Sequence, residues 1–74
     1  MAVSLPAYVS RRISGQASVD IINRHGWDAL GVDEYEKAID LLEPALHCEG
    51  DTATLHYNYD NQEYTLSYDW KDFE

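Results

Sequence analysis

Cysteine occurs once in these 74 residues, at position 48, so no internal disulfide can staple the chain. A lone thiol fits a reducing cytosol better than a secreted scaffold. No apolar run approaches the 18 residues a membrane-spanning helix needs. Residues 1–10 lack the basic and apolar regions of a secretory leader. The expectation is a soluble, cytoplasmic protein. Bases are also scarce: five Lys and Arg stand against fourteen Asp and Glu, a formal net charge of −9. Such a field repels nucleic acid and anionic membranes, whose recognition needs the opposite sign. It attracts basic surfaces instead.

Motifs of chemistry are missing too. The chain has no Gly-rich phosphate loop, G-x-S-x-G, H-E-x-x-H or EF-hand pattern. His47, Cys48 and His56 are the only soft ligands near one another, and they do not have the spacing of a zinc site. Cys48 lies beside Glu49 and Asp51, which disfavour the thiolate that nucleophilic catalysis requires. The reading is therefore non-enzymatic, with no cofactor and no metal.

What is present is a hairpin pattern. Leu55, Tyr57 and Tyr59 alternate with Thr54, His56 and Asn58; Tyr64, Leu66, Tyr68 and Trp70 alternate with Thr65, Ser67 and Asp69. Period-2 alternation around a short polar segment marks two antiparallel strands. Taking residues 60–63 as the turn pairs Tyr59 with Tyr64, Tyr57 with Leu66, Leu55 with Tyr68 and Ala53 with Trp70. All large apolar residues then share one face, which a one-residue slip would break. Tyr and Trp are common interface anchors, but a chain this small needs these rings for its core.

Upstream, Leu5, Tyr8, Val9, Arg12 and Ile13 share a face at helical spacing. This favours a helix over residues 5–13 capped by Ser4, against an edge strand over 2–9 limited by Pro6. Gly15 is read as its end, and a second helix is expected over 16–25, with Gly26 as its left-handed terminator. Residues 27–30 read as a short link or one further helical turn, closed by Gly31. Asp33 and Glu36 match a capping box for a third helix. Its stripe is Tyr35, Ala38, Ile39 and Leu42, and Pro44 stops it. Residues 47–51 read as a loop. The sum is one α+β domain over 1–74: two to three short helices on a C-terminal antiparallel hairpin. A two-stranded sheet is marginal in water, so a third strand is expected from the N-terminus or from a second protomer in a homodimer.

The charge is uneven. Residues 1–30 sum to +1, whereas residues 31–74 carry twelve acids against Lys37 and Lys71 and sum to −10. That exceeds the charge magnitude of about 2–8 that solubility asks of a small domain. The candidate partner-binding residues are Glu34, Glu36, Asp40 and Glu43 along the third helix, with Asp60 and Glu63 at the hairpin turn. Carboxylates pair with Arg in bidentate geometry much as phosphates do.

In length, acidity and lack of catalytic motifs, the whole chain resembles small phage-encoded inhibitors of bacterial defence, including anti-CRISPR proteins and DNA mimics. The resemblance is compositional and attaches to no particular motif. It implies a basic partner such as a nucleic-acid-binding nuclease or surveillance complex. An antitoxin or immunity partner of a basic toxin shares the same electrostatics, and a small homo-oligomeric assembly module is the third class considered.

Overall fold

A computed structural model describes residues 5–74. It has two helices and a three-stranded antiparallel sheet, an α+β fold. Helix α1 spans Ala7–His25 and α2 spans Tyr35–Leu42. Strands β1 (His47–Glu49), β2 (Thr52–Tyr59) and β3 (Gln62–Asp69) follow in the order β1-β2-β3. Short 3₁₀ turns occupy Trp27–Ala29, Glu43–Ala45 and Trp70–Phe73.

The two helices expected on either side of Gly15 are one. A glycine inside a helix costs only about 1 kcal/mol relative to alanine. The continuous helix buries Val9, Ile13, Ala17, Ile21 and Ile22 along one side. Gly15 marks a close approach instead: a β-carbon placed there would lie 3.7 Å from Ile39 Cδ1 on α2. Neighbouring Ser14 and Ser18 are fully buried, their hydroxyls donating to the carbonyls of Ser10 and Ser14 at 2.8 and 2.7 Å. The chain leaves α1 at Gly26, whose φ of 92° suits glycine. Over residues 7–9 the helical reading holds against the edge strand, but the helix starts at Ala7 with Pro6 at its N-cap, two residues later than expected. The Ser4 cap and residues 2–4 of that strand lie outside the described residues.

The capping box does not form. Glu34 occupies the N-cap of α2 without a side-chain bond, and Asp33 pairs with Lys37 at 2.8 Å. Of the apolar stripe, Ala38 and Leu42 are buried, Ile39 is half-buried and Tyr35 remains 42% exposed.

In the hairpin, Tyr59 pairs with Gln62, Tyr57 with Tyr64, Leu55 with Leu66 and Ala53 with Tyr68. The register is thus two residues from the expected one. The physical reason is the turn: Asp60 and Asn61 take positive φ values of 52° and 62°. They close a two-residue primed turn whose twist matches the strands. A two-residue shift preserves the face, so the rings still point inward. Leu55 is fully buried and Tyr57 is 8% exposed, while Tyr59, Tyr64, Leu66 and Tyr68 are half-buried. Trp70 has left the strand for the final 3₁₀ turn, where it and Phe73 pack on Val9, Ile13 and Ala53.

The sheet's third strand is supplied by the chain itself after α2, where the expectation was the N-terminus or a second protomer. It is β1, within the stretch read as a loop, pairing His47 with Thr54, Cys48 with Ala53 and Glu49 with Thr52. Among the described residues, no helix is long and apolar enough to cross a membrane.

Candidate functional site: an acidic surface with an exposed aromatic pair

Twelve of the fourteen acids are exposed, leaving only Asp20 and Glu43 half-buried. Three of the five bases sit in ion pairs: Arg11 with Asp40 (3.1 Å) and Glu43 (3.8 Å), Lys37 with Asp33 (2.8 Å), and Lys71 with Asp51 (3.2 Å). Arg12 lies over the Tyr8 ring and donates to the Phe73 carbonyl, and Arg24 lies over Tyr64. Exposed pairs of this kind contribute at most about 1 kcal/mol each, but they set which carboxylates keep their field.

The predicted acidic stripe is therefore divided. Asp40 and Glu43, toward the C-terminal end of α2, face Arg11 near the start of α1. The Glu43 Oε2 atom is buried without a hydrogen-bond partner. Glu34 and Glu36, at the N-terminal end, are exposed and have no ion pair among the described residues. Acids there also favour the helix dipole. Asp60 lies in the hairpin turn, and Glu63, opposite Asn58, projects from the solvent side of the sheet.

That solvent side carries His47, Thr52, Thr54, His56, Asn58, Thr65, Ser67 and Asp69. His56 Nδ1 shares a 3.0 Å hydrogen bond with Thr65 Oγ1, while Cys48 lies half-buried on the inner side, beside Ala53. The His47, Cys48 and His56 side chains are thus split between the two faces. Among the described residues, no group of three or more His, Cys, Asp or Glu is arranged to hold a metal ion.

The C-terminal end of α1 gathers aromatic rings. His25 sits among Tyr57, Tyr59 and Tyr64, with centroid distances of 5.6, 4.4 and 4.8 Å, and shares a 2.9 Å hydrogen bond with the Tyr57 hydroxyl. Burial raises the pKa of the Tyr57 phenol, with Arg24 opposing. Tyr68 is raised further, by burial first and then by its hydrogen bond to Asp20.

Just beyond His25 lies a feature the sequence reading passed over. Trp27 and Tyr35 pack in a tilted contact, with centroids 4.8 Å apart and an interplanar angle of 56°, yet stay 38% and 42% exposed. Beside them is a surface recess of about 480 Å³ lined by Trp27, Asp28, Gly31, Val32, Asp33 and Lys37. The available signal was an aromatic directly beside acids twice over, in Trp27-Asp28 and Asp33-Glu34-Tyr35. Tyr35 fitted the helical stripe and so looked like core.

Comparison with protein-family models, curated proteins and solved structures finds no match.

Proposed function

We propose that this chain is a non-enzymatic binding protein that docks on a basic, nucleic-acid-binding surface of another protein and blocks it. The observation that carries this reading is the excess of exposed carboxylates over the chain's own cations. Carboxylates would occupy the places of phosphates, with bidentate Arg pairs giving geometry and the long-range field giving fast association. Glu34 and Glu36 form the first contact set and Asp60 and Glu63 the second. Asp40 and Glu43 take part with Arg11 already beside them. It is the mode of action that the compositional resemblance to DNA mimics and anti-CRISPR proteins implies.

The test is capture of a partner that itself binds nucleic acid, followed by competition with duplex DNA. DNA should displace the partner, and affinity should fall at least tenfold between 50 and 200 mM salt, the sensitivity expected of several phosphate-like contacts. Glu34→Lys, Glu36→Lys, Glu63→Lys and Asp60→Asn combined should abolish capture with little change in thermal midpoint. Undiminished capture by that variant, or indifference to DNA, overturns the reading.

A second reading rests on strand β3, an eight-residue open edge of the sheet. An open edge can pair with another copy and build an assembly. Light scattering separates the two: a mass above the monomer that survives high salt favours assembly over electrostatic docking.

A further inference from the structure

We propose that the Trp27–Tyr35 pair and its adjoining recess form the anchor point of the docking surface, receiving an arginine side chain of the basic partner. This rests on the docking function proposed above and specifies which side chain is recognised and where. Large apolar rings are left more than one-third open here in a chain with little apolar area to spare. Trp and Tyr are the residues that most often dominate an interface energetically, together with Arg on the facing side.

Charge complementarity selects the occupant. Asp28 and Asp33 line the recess with Trp27, exposed Glu34 directly precedes Tyr35 in the chain, and the recess cation Lys37 is held by Asp33 at 2.8 Å. Asp28 has no ion-pair partner among the described residues. A guanidinium is planar, weakly hydrated and able to stack on a ring while donating to a carboxylate, which an ammonium does less well. The ring half of this arrangement already occurs twice in the molecule, with Arg12 5.5 Å from the Tyr8 centroid and Arg24 5.4 Å from that of Tyr64. Among the described residues, no Arg or Lys lies over Trp27 or Tyr35. The recess beside them is large enough for a guanidinium and the stem that carries it.

The experiment is NMR titration of the whole chain with capped octa-arginine and, separately, capped octa-lysine. The two indole N–H signals report separately, because that of Trp70 is hydrogen-bonded to the Gly50 carbonyl at 2.9 Å. Octa-arginine should shift the Trp27 indole signal and bind about threefold or more tighter than octa-lysine, as expected of an exposed cation–π stack. Trp27→Ala and Asp28→Asn should each erase the preference for arginine while leaving salt-sensitive binding of both peptides. Equal affinities with a stationary Trp27 signal overturn the anchor and leave the acidic docking reading standing. Failure of both peptides to bind overturns both. A Trp27 signal that moves with protein concentration alone assigns the patch to a second copy and overturns the proposal.

Discussion

The Tyr68 hydroxyl donates to Asp20 Oδ2 at 2.5 Å, joining β3 to α1 across 48 residues of sequence. The same carboxylate accepts from Gln16 Nε2 at 2.9 Å, so both of its oxygens are engaged. Hydrogen bonds to a charged group contribute about 1.5–3 kcal/mol. Tyr68→Phe should therefore lower unfolding free energy by about 1–2 kcal/mol, read from a urea midpoint at pH 7.

The same contact predicts an alkaline limit. Tyr57 and Tyr68 have folded-state pKa values above the ordinary 10.0. A raised pKa means the folded chain holds those protons more tightly than the unfolded chain does. The associated stability is complete below pH 10 and declines as pH rises beyond it. Urea midpoints should fall from pH 10 upward, and less steeply in Tyr68→Phe. A Tyr68→Phe profile as steep as that of the parent chain would contradict this.

Gly15 offers a test of opposite signs at one position. Its β-carbon position is 3.7 Å from Ile39 Cδ1, an ordinary contact distance. Gly15→Ala should stabilise by about 0.5–1 kcal/mol through the helix and unfolded-state entropy. Gly15→Leu should destabilise by about 1–3 kcal/mol by forcing α2 away. Chemical denaturation of both variants checks the pair.

Leu55 is fully buried at the centre of the core that α1, α2 and the sheet share. Leu55→Ala should cost about 2–5 kcal/mol, a large part of the stability of a domain this small. Circular dichroism should show a thermal midpoint lowered by more than 10 °C or no cooperative transition.

The hairpin turn gives a gain instead. Asn61 holds a φ of 62°, which glycine adopts without penalty. Asn61→Gly makes the turn Asp-Gly, a favoured pair for a primed turn. Thermal midpoint should rise by a few degrees, whereas Asn61→Val should lower it, since a β-branched side chain opposes positive φ.

Much of the fold could be read directly along the chain. Alternation from Thr54 to Asp69 fixes two strands and their inward face, because successive side chains point to opposite sides. The spacing of Ala38, Ile39 and Leu42 fixes a helix for the analogous reason, and Pro44 its end. The exposed acids could be read equally well, since most carboxylates remain in water whatever the fold. These properties depend on neighbours within a few residues.

Tertiary structure decided the rest. Alternation defines strand parity but permits registers two residues apart, and the backbone that Asp60 and Asn61 adopt chooses between them. His47-Cys48-Glu49 has no strand pattern of its own and is a strand only because β2 lies alongside. Gly15 reads as a break until α2 is seen packed against it. Arg11 takes Asp40 and Glu43 out of the free acidic stripe from about thirty residues away, while Trp27 and Tyr35 meet across a loop and remain open to solvent. Each depends on which distant group fills the adjacent space, and local spacing cannot encode that.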